Sequence, residues 1–169
     1  MPPDLQRFRL ELPRWDCQWE FKIGRDGAPK VRVGVDGTVK AVKRRPVWDA
    51  LWLNGRPAHY QVRAKAVRTV IAAVCDAARK VHLDEVQDAE HLRVELVWAP
   101  GFNTPADTHN LHGLLKPCVD ALARGSSKTP GLRVVPDDRD HRVTPACRIS
   151  RPKDPNPEPV GLWLDVEVT

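Results

Sequence analysis

The chain has 169 residues with 27 lysines and arginines against 22 acidic residues, a formal net charge of +5. That length predicts one domain with a core large enough to need no staples, and the basic balance favours an anionic partner. Cys17, Cys75, Cys118 and Cys147 are widely spaced with no Cys-x-x-Cys pair, which argues against a zinc ribbon. No apolar run approaches a membrane span and Met1 to Leu12 carries no leader pattern, so no membrane role and a cytoplasmic location are expected.

In chain order, Phe8-Arg9-Leu10-Glu11-Leu12 alternates apolar with polar up to Pro13, the pattern of a first strand. The segment 15–47 reads as a β-hairpin insertion of three strands and two turns. Gln18 to Ile23 and Lys30 to Val35 are expected to pair across Arg25-Asp26-Gly27, and Val35-Asp36-Gly37-Thr38 supplies a second turn. Lys40-Ala41-Val42-Lys43-Arg44-Arg45 closes the insertion with four cations in six residues. Two readings stand side by side for Lys43, Arg44 and Arg45. They follow a DNA backbone, releasing counterions at each phosphate, or they keep a solvated strand edge from aggregating.

Gln61 to Val81 is the most periodic stretch, with Val62, Ala66, Val70, Val74 and Val81 at helical spacing. One face should pack on a sheet. The other offers cations, among them Arg63, Lys65 and Arg68 as candidate phosphate contacts. Leu83 to Glu90 reads as a solvated acidic connection. His91 to Trp98 alternates cleanly and is expected to be a central strand delivering the chain to Asp107. Asn110 to Ala123 reads as a helix kinked or restarted at Pro117, since proline removes a backbone donor. Arg142 to Ile149 and Gly161 to Val168 are expected as the last two strands, antiparallel and joined by the proline-rich hairpin loop Arg151 to Pro159. Asp165 and Glu167 should face solvent, while Trp98 and Trp163 should pack in the core or sheet. The layout is α+β: a small mixed sheet covered by two main helices.

The residues richest in chemistry lie between Asp107 and Asp138. Asp107 and His109 stand two apart, Lys116 follows, and Asp137-Asp138 comes after a linker containing Gly131. Carboxylates supply the oxygen ligands that Mg²⁺ prefers, the ion retains waters for a nucleophile, and a lysine offsets charge at a phosphate. His109 and His112 also form a His-x-x-His pair, but three or four ligands at recognised zinc spacings are absent.

This stretch resembles the RusA-like Holliday-junction endodeoxyribonucleases of bacteria and phages. Their pattern is Asp-x-Asp-Asn-Leu, then Lys-x-x-x-Asp-Ala-Leu, then a Gly-containing loop ending in Asp-Asp before a strand. Here it reads Asp107-Thr108-His109-Asn110-Leu111, then Lys116-Pro117-Cys118-Val119-Asp120-Ala121-Leu122, Gly131, Asp137-Asp138 and Val143. His109 replaces the second aspartate, which brings in a nitrogen ligand and admits Mn²⁺ beside Mg²⁺. The gap before Lys116 is about three residues longer than in shorter members, close to one helical turn.

The resemblance implies a metal-dependent nuclease that resolves four-way DNA junctions, its ion held by Asp107, Asp137 and Asp138 with His109 as a further ligand. Lys116 would stabilise charge at the phosphate. Asn54, Arg56 and His59 resemble the family's loop against DNA, although an ordinary Asn-Gly turn explains the same letters. Symmetric cutting of a two-fold junction needs two active sites, so a homodimer is implied as well. The change at His109 leaves a second expectation, a branched-DNA binder on the same scaffold with weakened or lost cleavage.

Overall fold

The structure, a computed structural model, describes residues 5–53, 58–123, 125, 127–138 and 141–169. Its elements in chain order are β1 (Gln6–Glu11), β2 (Glu20–Phe21), β3 (Val31–Val33), β4 (Val39–Ala41), β5 (Lys43–Arg44), α1 (Trp48–Leu51), α2 (Tyr60–Lys80), β6 (Leu92–Ala99), α3 (His112–Leu122), β7 (Val143–Ile149) and β8 (Gly161–Val168). Four strands form a mixed sheet in the order β1-β8-β6-β7. The fold is α+β.

The last two strands do not form the hairpin expected from their order. β6 lies between them, parallel to β7 and antiparallel to β8, with Trp98 opposite Ile149 on one side and Leu162 on the other. The reason is the crossover. The chain leaves β6, runs through α3 and returns as β7 beside β6, which fixes that pair as parallel. The 151–160 loop must then carry the chain past the end of β6 to its other side. There β8, buried along most of its length, takes the more enclosed position between β1 and β6.

The period of two along each strand sorts the sheet into two chemically distinct faces. Leu10, Leu92, Val94, Leu96, Trp98, Leu162, Leu164, Val166 and Val168 are buried in one core with the apolar sides of α2 and α3. The opposite face is an ion-pair lattice. Arg9 holds Asp165 at 2.8 Å, Arg7 holds Glu167 at 3.1 Å, and Arg148 reaches Glu95 and Glu158 at 3.2 Å each. Asp165 and Glu167 thus lie on the sheet's polar face. Trp163 packs among them with Val97 and Ala99, under the Arg9 guanidinium at 4.7 Å.

The insertion is built of hairpins, as its turns predict, but they branch. β2 pairs with β5, β3 pairs with β4, and Ile23 bridges Pro29. Lys22, Lys30 and Val42 meet at the branch point, each carbonyl accepting from the N–H of the next in a closed ring of three backbone hydrogen bonds. The root is fastened to the sheet through Asp16, which takes two hydrogen bonds from Arg14 at 2.8 Å and one from Trp98 Nε1 at 3.0 Å. Trp48 stacks on Trp52 and touches Trp98, with ring centroids 4.9 and 4.8 Å apart, closing an aromatic plug beneath α1. Among the described residues no helix is long and apolar enough to cross a membrane.

Candidate active site

The 131–138 segment comes to lie alongside α3 because of how that helix ends. The last carbonyls of a helix lack intrahelical donors. Here Leu132, Arg133 and Val134 supply them, donating to Ala121, Ala123 and Leu122 at 2.8, 3.1 and 2.8 Å. So close a return admits only glycine at its start, since a Cβ on Gly131 would stand 2.0 Å from the Ala123 carbonyl oxygen. Val134 and Val135 then bury completely, and the chain emerges as Pro136-Asp137-Asp138 alongside α3.

Lys116 meets Asp138 at 2.5 Å and Asp120, one turn along α3, at 2.7 Å. Its hydrogen bond holds the Asp138 carboxyl below the usual carboxylate range. For Lys116 itself, partial burial pulls the ammonium down, but the bonds to Asp120 and Asp138 outweigh it and leave its pKa raised. Both groups are therefore charged at neutral pH. They line a shallow cavity of about 330 Å³ with His112, Leu115, Val119, Val143 and Pro145. Asp137 lies 3.7 Å from the Arg142 guanidinium.

Asp107 and His109 stand at the approach to α3, on a single 3₁₀ turn over Thr108–Leu111. Arg151 positions this approach from the 151–160 loop by donating to the Thr104 and Ala106 carbonyls at 3.0 and 2.6 Å. The Asp107 carboxylate is exposed and has no hydrogen-bond or ion-pair partner among the described residues. His109 faces His112, ring centroids 5.8 Å apart. Asn110 is buried, and its Oδ1 has no hydrogen-bond partner, an unsatisfied acceptor beside the two candidate ligands. α3 runs unbroken through Pro117, and a Cβ on Gly113 would stand 2.0 Å from the Leu51 carbonyl oxygen.

In donor chemistry this set suits a hard cation: Asp107 and Asp138 offer ionised oxygen, His109 a nitrogen. In placement it is incomplete. Among the described residues no group of three or more His, Cys, Asp or Glu side chains is close enough to hold a metal ion. The convergence that does exist joins Lys116, Asp120 and Asp138. Asp120 and His112 join the site without a role in the motif, and the only signal for them in the sequence is that each lies four positions from Lys116 and hence on its helical face. The cysteines take no part. Burial pushes Cys118 up, Cys147 is raised to about 12 by burial, and both remain neutral thiols.

The candidate DNA contacts divide into two groups. Arg63, Lys65 and Arg68 are exposed along α2. His59 caps that helix by accepting from Gln61 N at 3.4 Å, and it lines a cleft of about 550 Å³ together with Lys22, Lys43, Arg44, Arg45 and Trp52. Within this cleft Arg45 is already engaged, bonding Asp49 at 3.0 Å, while the Arg44 Nε is buried without a partner. Asn54 and Arg56 lie outside the described residues. No protein-family model, no curated protein and no solved structure matches the chain, so the likeness to RusA-like nucleases rests on the motif residues themselves.

Proposed function

We propose that the protein is a metal-dependent endodeoxyribonuclease that acts on branched, four-way DNA as a homodimer, in the cytoplasm of a bacterium or of a phage-infected cell. The observation that carries this reading is the meeting of Lys116 with Asp138, 22 residues apart in sequence, at 2.5 Å. Asp107 and Asp138, with His109 and Asp137 beside them, would hold Mg²⁺ or Mn²⁺. A bound ion would supply Lewis acidity at the phosphate and a water of lowered pKa.

The chain's own residues supply the rest. Lys116 keeps Asp138 ionised and carries positive charge next to where a phosphate oxygen gains negative charge. Arg151 holds the 104–106 segment so that Asp107 is presented at the mouth of α3. The cleft of Lys22, Lys43, Arg44, Arg45 and His59 offers a place for backbone phosphates away from the reacting centre.

A second reading, a junction-binding protein that does not cut, is favoured by the incomplete ligand group and by the imidazole at position 109. One experiment separates them. Purified protein is incubated with a synthetic four-way junction in Mg²⁺ or Mn²⁺, beside Asp138→Asn and Asp107→Asn. The nuclease reading expects nicking that each substitution lowers by about a hundredfold or more with junction binding retained. Binding without nicking in either ion overturns it in favour of the second.

A further inference from the structure

The net charge of this protein is not spread over it. Residues 18–45 contain eight lysines and arginines against Glu20, Asp26 and Asp36, an excess of five. The chain as a whole has 27 cations and 22 anions, so the remainder holds nineteen of each and is neutral. The whole basic excess sits on the branched hairpin arm.

The arm is also ordered by chemistry. Residues opposed in an antiparallel ladder share a face. Arg32 stands opposite Lys40, whereas Val31 opposes Ala41 and Val33 opposes Val39, so the β3–β4 hairpin has one cationic and one apolar face. Neither is covered: Val31, Val33 and Val39 are 56%, 68% and 64% exposed. Lys22 and Lys30 stand at the branch point itself. Two like charges opposed across a ladder disfavour the hairpin unless an anion lies against them.

The tips are braced. Gly24-Arg25-Asp26-Gly27-Ala28 and Gly34-Val35-Asp36-Gly37-Thr38 are successive copies of one turn. In each the first glycine donates to the fifth carbonyl, at 2.7 and 2.8 Å, and the aspartate accepts from the fifth N–H at 3.1 Å. Both turns therefore hold their shape without tertiary contacts.

We propose that this arm is a duplex-DNA binding element in its own right, the β3–β4 hairpin lying in the major groove with Arg32, Lys40, Lys30 and Lys22 on the flanking phosphates. A two-stranded ribbon, its strands about 4.8 Å apart, fits a groove about 12 Å wide. The narrow, deep major groove of double-stranded RNA does not admit it. The inference shares with the nuclease reading its polyanionic partner and Lys22, and its test excludes cleavage.

Binding of fluorescent unbranched duplex DNA is measured in EDTA over a series of salt concentrations. The paired variant Arg32→Glu with Lys40→Glu is expected to bind at least about tenfold more weakly and to lower the slope of log affinity against log salt by about two. Lys153→Glu, an exposed change outside the arm, should leave both unchanged. In a second variant, residues 22–42 are replaced by Asn-Gly joining Phe21 to its register partner Lys43, which retains the β2–β5 stem. It should keep the thermal midpoint of the body and lose duplex affinity. Wild-type affinity in either variant, equal binding of an RNA duplex, or no duplex binding by the wild type overturns the proposal. Failure to nick a junction leaves it untouched.

Discussion

The four-stranded sheet and the hairpin arm are both antiparallel β-structure in large part, yet they are stabilised in opposite ways. In the sheet, every strand gives one face to a closed core, where Leu10, Leu96 and Leu164 are wholly buried side by side across β1, β6 and β8. Its charges are matched on the other face, anion against guanidinium. In the arm, apolar side chains stay in water and like charges stand opposite each other, so order comes from turn chemistry and from its root at Asp16, whose carbonyl also accepts from Arg45 at 3.4 Å. That this region buries so little of itself and gathers all the net charge is the basis of the proposal that it binds duplex DNA.

The contrast is broken most sharply by removing volume from each region. Leu164→Ala should destabilise the protein by about 2–5 kcal/mol, because neighbouring strands cannot collapse into the cavity. Chemical denaturation followed by tryptophan fluorescence measures it. A loss under about 1 kcal/mol would show that the sheet is not the stabilising core.

Asp16, where the two regions join, comes next. Burial pushes its carboxyl up, but the Arg14 pair and the Trp98 and Cys17 hydrogen bonds outweigh this and hold it below the usual carboxylate range. The native state thus binds its proton less readily than the unfolded chain, whose Asp titrates near about 3.9. This contribution is present above that pH and is lost as pH falls through the native value. Asp16→Asn should cost about 2–3 kcal/mol at pH 7 by leaving Arg14 uncompensated, and less as the pH is lowered. Denaturation midpoints at pH 7 and pH 3 give the sign, and a cost that grew on acidification would reverse the assignment.

The smallest effect belongs to the arm. Val33→Ala should change stability by no more than about 0.5 kcal/mol, since the side chain is two-thirds exposed. If it matched Leu164→Ala in the same denaturation experiment, the arm's apolar face would have to be covered by another copy of the chain.

Much of this was written locally. The 3.6-residue period of Val62, Ala66, Val70 and Val74 and the alternation of Leu92, Val94, Leu96 and Trp98 depend on neighbours a few positions away, and α2 and β6 form as those patterns require. The Asp-Gly turns of the arm are local in the same sense. Of the candidate site, the motif named Lys116 and Asp138 but with separate roles, one at a phosphate and one on an ion, and their pairing with each other is a tertiary contact it does not express. Asp120 was legible too, at helical spacing from Lys116, but its letters matched a pattern before they suggested a contact.

What the sequence determined by itself was therefore the elements whose hydrogen bonds close over a few residues, together with the identity of the chemistry-bearing side chains. Only the tertiary structure decided that β6 separates β7 from β8, because strand order depends on the path of a crossover and of a loop, not on any strand's own pattern. It also decided that Arg151 grips the approach to Asp107, across 45 residues of chain. The segregation of all excess charge onto the arm was countable in the letters, but it gained meaning only when packing left that arm standing clear of the core.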